Sequence, residues 1–152
     1  VRRVVRAFEL LAEGTTYAEQ KRNLSHIPQA VPAVFIGLAV DTEVLKTRID
    51  ARVDRMVEHG LVDEVKALLD SGFREGITAP QAIGYKEIVA ALDGETTLAE
   101  AIERIKLATR RYAKRQRTWF RKDKRITWVN ADSGDAEAIA TNAQQFIDTI
   151  HG

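Results

Sequence analysis

Residues 33–40, AVFIGLAV, run straight into DTEVLKTRIDARVDRMVEHG at residues 41–60, and the reading of this junction decides the fold. The first stretch is apolar, rich in branched side chains and bounded by Pro32 and Asp41, which is the pattern of a short buried strand. In the second, Leu45, Ile49, Val53 and Met56 recur at helical spacing. Asp41 or Thr42 stands where an N-cap belongs, and Gly60 where the helix should stop. A strand buried on both faces needs neighbours to cover it.

Toward the carboxyl end, Val62, Val65, Leu68 and Leu69 give a second helix that closes at Gly72. GFREGITAPQ (72–81) reads as a turn-rich loop with Ile77 packed inward, and Pro80 opens a helix that continues through Leu92. Thr97 caps a longer helix reaching about Lys122. Arg125 to Val129 forms a second strand, and Asp135 to Ile150 a last amphipathic helix with Ile139, Phe146 and Ile150 inward. Toward the amino end, Thr15 to Pro32 is polar, contains Pro28, and reads as a loop. Before it, Val4, Phe8 and Leu11 mark a helix that ends at Gly14. This helix begins at Val1 with neither cap nor initiating Met, which suggests a chain cut from something longer. The expected class is α/β and mostly helical, residues 1–152 forming one incomplete domain with few strands.

Composition is that of a globular protein, 45% hydrophobic and 30% charged. With no cysteine, disulfides, thiol chemistry and cysteine-based zinc sites are excluded. His26, His59 and His151 stand far apart and begin no metal-ligand pattern, so no metal site is expected. No apolar run reaches the length of a membrane span and no signal peptide is visible, which makes the cytoplasm the expected compartment and excludes a membrane partner.

The net charge of +1 conceals a division. From Arg104 to Arg125, eleven of 22 residues are Lys or Arg and only Asp123 is acidic, a local charge of +10. The other 130 residues carry 12 basic and 21 acidic side chains, or −9. On a helix, Lys106, Arg110, Lys114, Arg117 and Arg121 form one stripe about 22 Å long at about 1.5 Å per residue. Arg104, Arg111, Arg115 and Lys122 form another. Ala101, Ile105, Ala108 and Tyr112 make the apolar face. A solvated helix face normally mixes signs at i+4; this one does not, and a polyanion would relieve the repulsion. Aromatic side chains among the arginines suit unstacked bases better than a DNA groove, which favours looped RNA.

A second cluster, Arg48, Arg52 and Arg55, lies along one side of the earlier helix, where three guanidiniums could close over a phosphate or pyrophosphate. Pairing along the helix surface is the competing explanation; only Arg55 has an acidic neighbour, Glu58, at the right distance.

Three runs then stand in order: LKTRIDARVDRMVEHGLVDEVKALLDSG (45–72), QAIGYKEI (81–88) and TRRYAKRQRTWFRKD (109–123). Together with RRVVRAFEL (2–10) they resemble the tRNA dimethylallyltransferases, also called tRNA isopentenyltransferases, and the resemblance covers Arg2 to Val129. It implies the carboxyl-terminal part of a P-loop NTPase-like three-layer α/β fold. It also implies transfer of a dimethylallyl group from dimethylallyl diphosphate, with Mg²⁺, to N6 of the adenosine 3′-adjacent to the anticodon, position 37. By the same resemblance Arg52 steadies the pyrophosphate. Arg2, Arg3, Arg6, Gln81, Ala82, Ile83, Gly84, Tyr85, Lys86, Arg110, Lys114, Arg115, Gln116, Arg117, Trp119 and Arg121 lie in segments that would bind the tRNA anticodon stem-loop, Gly84 letting backbone approach the RNA.

The sequence also departs from that family. No G-x-x-x-x-G-K-[ST] string is present, so the phosphate cradle is missing. Asp41, Asp50 and Asp54 match a later region than the family's general base, and the Mg²⁺ ligands are not in this chain. The expected partners are therefore tRNA, dimethylallyl diphosphate and an amino-terminal P-loop half, in a monomeric enzyme of bacterial type, with these 152 residues inactive alone. A stand-alone RNA-binding module is the alternative. A relative that prenylates free adenosine phosphates fits less well, because a mononucleotide needs no such extended basic helix.

Overall fold

A computed structural model describes the backbone of residues 2–25, 31 and 33–151, and the side chains of these except Arg2, Lys21, 23–25, 150 and 151. The chain divides into two compact units, residues 1–34 and 35–152. In the first, α1 spans Arg2–Ala12 and ends before Gly14, whose φ of 76° supplies the left-handed turn. Leu10 is its buried side chain, while Val4, Phe8 and Leu11 are exposed, so the expected inward stripe is corrected to a neighbouring position. Residues 17–25 are not loop: α2 spans Tyr17–Ser25. Thr16 and Glu19 make a capping box there. The Thr16 hydroxyl accepts from the Glu19 N–H at 3.2 Å and the Glu19 carboxylate from the Thr16 N–H at 2.8 Å. Pro28 and Pro32 lie outside the described residues.

The second unit begins with β1, Phe35–Ala39, which pairs in parallel with β2, Ile126–Asn130, in the register Phe35 to Ile126 through Ala39 to Asn130. Gly37 permits this pairing: a Cβ there would stand 2.6 Å from the Ile126 side chain and 2.7 Å from the Trp128 ring. The strand is less buried than its composition suggests, with Leu38 57% exposed. Among the described residues β2 is its one partner strand, so the other edge and much of one face stay uncovered.

The crossover from β1 to β2 contains four helices. Asp41 caps α3 (Thr42–Glu58), its carboxylate accepting from the Glu43 and Val44 N–H groups. Gly60, at φ 99°, separates α3 from α4 (Leu61–Asp70). Two 3-10 turns follow, Phe73–Glu75 and Ala79–Gln81, then α5 (Tyr85–Leu92) and α6 (Leu98–Phe120). Pro80 therefore opens only a short turn, and Ala82 is extended. The helix proper waits until after Gly84, whose φ of 103° no β-substituted residue adopts easily. Ile77, expected inside, is 91% exposed on this turn-rich stretch. Val53, Leu61, Val65, Ile88, Ala101 and Ile105 make one apolar core from α3, α4, α5 and α6. Met56 reaches only its margin, 38% exposed. After β2, Asp135 caps α7 (Ala136–His151), which packs on β2. Ile139 on α7 is half-buried, Phe146 remains 43% exposed rather than inward, and the Ile150 side chain lies outside the described set.

Candidate functional site

The basic helix starts firmly. The Thr97 hydroxyl accepts from the Glu100 N–H at 3.2 Å, while the Glu100 carboxylate accepts from the Thr97 N–H at 3.0 Å and the Thr96 hydroxyl at 2.6 Å. These donors, the Thr96 hydroxyl first, hold the Glu100 carboxyl down at about 2. From there α6 runs antiparallel to α3, and a ladder of polar pairs joins them. Lys106 meets Asp54 at 2.7 Å; Arg110 grips Asp50 through two parallel N–H groups; Arg117 donates to the Thr42 hydroxyl at 2.7 Å. The hydrogen bond to Asp54 is the main reason the Lys106 ammonium titrates above its ordinary range. The stripe read as free of acidic partners is therefore not free: Asp50 and Asp54 supply them from α3, and Glu103 of α6 itself lies 3.2 Å from Lys106.

Four further basic residues have a different setting, although Arg111 and Lys114 also border a groove against Thr42, Leu45, Lys46 and Ile49 of α3. Arg111, Lys114, Arg115 and Lys122 have no acidic partner among the described residues, and with Thr118 and Trp119 they border a shallow depression of about 400 Å³. Trp119 is 69% exposed and holds its ring edge-on to Phe120 at 4.9 Å. Gln116, Arg117 and Arg121 face a second groove, of about 550 Å³, which runs along β1 from Leu38 to Val40 and is floored by Phe120 and Trp128. In open parallel sheets the space outside the carboxyl ends of the strands is where ligands bind. At the far end of the basic segment Arg125 is tied down. It pairs with Asp123 at 2.6 Å and lies 4.8 Å from the Phe35 ring centroid. Its hydrogen bond holds the Asp123 carboxyl at about 2.

The arginines of α3 do not converge. Arg48 is half-buried and donates to the Ala131 and Asp132 carbonyls just beyond β2, against Gly134. Asp132 in turn accepts from the Asp41 N–H at 2.6 Å. That bond, with a smaller contribution from Arg48, keeps its carboxyl below the usual range. Arg48 is thus a brace between helix and sheet. Arg52 makes no hydrogen bond or ion pair among the described residues and stands beside a groove of about 370 Å³. Arg55 is exposed.

In the 81–86 segment, Gln81 and Ala82 are exposed and Ile83 packs against the core. The Gly84 N–H donates to Glu87 at 2.8 Å, and that buried carboxylate also lies 3.5 Å from Lys86. A Cβ on Gly84 would meet nothing within 4 Å, so its φ, not crowding, calls for glycine. The Tyr85 hydroxyl donates to Glu64 at 2.6 Å, which raises its pKa, and its ring rests on Phe73 at 5.5 Å. Tyr85 is consequently committed to α4, whereas Gln81, Ala82 and Lys86 keep open surface. Arg3 is exposed, Arg6 pairs with Glu9 and Glu13 in the first unit, and the Arg2 side chain is outside the described set. Among the described residues no three His, Asp or Glu side chains stand close enough to hold a metal ion.

What this geometry offers is cationic and hydrogen-bonding surface. A family model described as IPP transferase matches residues 1–123. The chain belongs to the IPP transferase family. The tRNA dimethylallyltransferase of Halalkalibacterium halodurans is 46% identical over 147 residues, 96% of this chain and 46% of that protein. That of Rhodococcus jostii is 47% identical over 135 residues, 88% of this chain and 43% of the other. Among solved structures, the tRNA isopentenylpyrophosphate transferase of Bacillus halodurans superposes with a TM-score of 0.73 at 42% identity, over 97% of this chain and 44% of that one. A eukaryotic dimethylallyltransferase acting on tRNA gives 0.76 at 30% identity, over 97% and 41%. The chain thus spans just under half the length of these relatives and matches their carboxyl-terminal part. Its fold is the mostly helical part of a P-loop NTPase-like α/β architecture.

Asp50, Asp54 and Thr42 were missed as partners of the basic helix. The signal was present: Asp50 and Asp54 are four apart on α3, as Lys106 and Arg110 are on α6, so two antiparallel helices can match them pairwise.

Proposed function

We propose that this chain is the RNA-gripping part of an enzyme that transfers a dimethylallyl group from dimethylallyl diphosphate to N6 of the tRNA adenosine at position 37, next to the anticodon. The observation that carries the reading is the division of α6. Lys106 and Arg110 are neutralised by α3, while Arg111, Lys114, Arg115 and Lys122 have no acidic partner among the described residues and border the exposed Trp119, an arrangement suited to phosphates and unstacked bases. The names of the relatives support the same substrate class.

In the reaction the N6 lone pair attacks C1 of the dimethylallyl group. The C1–O bond to the diphosphate breaks, pyrophosphate leaves with that electron pair, and N6 gives up one proton. Stabilising the charge on the departing oxygen lowers the barrier, and Arg52, without a hydrogen-bond or ion-pair partner among the described residues, is the residue of this chain we assign to it. The proton acceptor, the phosphate cradle and the Mg²⁺ ligands belong to an amino-terminal half outside these 152 residues.

The test incubates the natural protein that carries this chain, and separately these 152 residues, with tRNA, Mg²⁺ and isotopically labelled dimethylallyl diphosphate. Nucleoside mass analysis should find label at position 37 with the natural protein and none with the 152 residues. Turnover by the 152 residues would overturn the division of labour. RNA binding by the natural protein with no transfer would make it a binding module instead.

A further inference from the structure

The entry of α3 is held by one residue just beyond β2. One Asp132 carboxylate oxygen accepts from the Asp41 N–H at 2.6 Å, and the other accepts from the Asn130 side-chain amide at 2.8 Å. The Asp132 N–H donates back to the Asn130 side chain at 2.9 Å, and its carbonyl accepts from Arg48. These four hydrogen bonds tie the end of β2 both to the cap of α3 and to its second turn. Arg48 also donates to the Ala131 carbonyl at 3.2 Å, and the Ala131 N–H extends the strand pairing to the Ala39 carbonyl at 2.8 Å. Gly134 closes the clasp. Its φ is 72°, and a Cβ there would stand 3.2 Å from the Arg48 guanidinium.

Nothing comparable fixes Arg52 directly. Its side chain is exposed and makes no hydrogen bond or ion pair among the described residues, so it goes where the α3 backbone takes it. Arg48 stands one turn before it on the same face, about 6 Å along the axis at about 1.5 Å per residue. Val53 holds α3 to the core and Asp50 and Asp54 hold it to α6, but both sets act from other faces of the helix. A small rotation of α3 would leave those contacts nearly made while swinging the tip of a long exposed side chain much further. We propose that Asp132 is a positioning residue for the transfer: it sets the axial register and rotation of α3, and through them the place of the Arg52 guanidinium. The inference rests on the assignment of Arg52 to the departing pyrophosphate and adds the clasp that aims it.

The test measures kcat, the unfolding midpoint and tRNA affinity in the natural protein, with kcat taken per folded molecule. A misplacement of about 1 Å costs on the order of a hundredfold in rate, so loosening the clasp with Asp132→Ala should lower kcat by about tenfold and leave tRNA affinity unchanged. Asp132→Asn keeps a side-chain oxygen to accept from the Asp41 N–H and should recover most of the loss. In an Arg52→Ala background, Asp132→Ala should cost nothing further in kcat, because the residue it aims is gone. A lower unfolding midpoint with wild-type kcat would make Asp132 a stabiliser only and overturn the positioning role. Losses that multiply in the double variant would overturn it too, since Asp132 would then act by a route other than Arg52. Equal losses in the Ala and Asn variants would do the same, because the retained oxygen would be holding nothing. Wild-type kcat in Arg52→Ala would instead strike the assignment of Arg52, and with it the inference built upon it.

Discussion

Two sides of one helix carry the same residue types and do different work. On the α3 side of α6, Lys106 and Arg110 have side chains only 13% and 29% exposed and are matched by Asp54 and Asp50. Around Trp119 and just past the helix end, Arg111, Lys114, Arg115 and Lys122 are exposed with no acidic partner among the described residues, Arg111 and Lys114 also reaching the rim of the groove against α3. A cation with a fixed carboxylate partner contributes little to the outward field and much to the register of the helices; one without contributes mainly to the field. Charge count therefore overstates the polyanion-binding surface, and the partner decides the role of each arginine.

The largest separation should come from Arg110→Ala. It removes a two-pronged, charge-assisted contact and leaves Asp50 partly buried without its partner. We expect a loss of about 2 kcal/mol in stability, read as a lower midpoint in chemical denaturation. An Asp50→Arg, Arg110→Asp exchange should recover a good part of it. Unchanged stability in Arg110→Ala would mean that the α3–α6 ladder is ornamental and that the two sides of the helix do not differ.

The complementary change is smaller and appears in binding. Arg111→Ala should leave the unfolding midpoint where it is, while the slope of log affinity for tRNA against log salt falls by about one, as one phosphate contact is lost. Arg110→Ala, measured only after confirming that it is folded, should keep the wild-type slope. Equal slope changes in the two variants would erase the distinction between neutralised and free cations.

This contrast also marks how far the sequence could be read. Helical spacing placed α3, α4 and α6, and the residues flanking AVFIGLAV placed β1, because local periodicity and caps are written in neighbouring residues. The acidic partners of Lys106 and Arg110 lie about fifty to sixty residues away; the matching four-residue spacings are in the sequence, but which helices pair depends on a packing register that no local window contains. The same holds for Arg48, which seemed ready for an anion and instead closes on carbonyls beyond β2. Other misses were local. The Thr16–Glu19 box announces α2 inside a stretch read as loop, and the wait from Pro80 to Tyr85 turns on one glycine in a conformation that sequence alone does not reveal. At the candidate site, the residue types were legible. That Ile83, Arg52 and Tyr112 share one groove was not, since it takes three elements folded together.

The smallest expected effect lies at the start of α6, where both sides of the helix depend on the same first turn. Glu100 holds the Thr96 hydroxyl and the Thr97 N–H with a carboxyl that titrates at about 2, against an ordinary value of 4.5. Because the folded state depresses this pKa, the ionised carboxylate contributes stability that is complete above about pH 4.5 and disappears as pH falls toward 2. Glu100→Gln cannot ionise. Wild type and variant should therefore separate in unfolding midpoint above pH 4.5 and converge as pH approaches 2. A gap that stays constant across that window would assign Glu100 to packing instead of charge. If the gap closes as expected, fraying of this turn in acid should loosen the Lys106 and Arg110 pairs before it touches the outer cations, since only the inner side needs the helix held in register with α3.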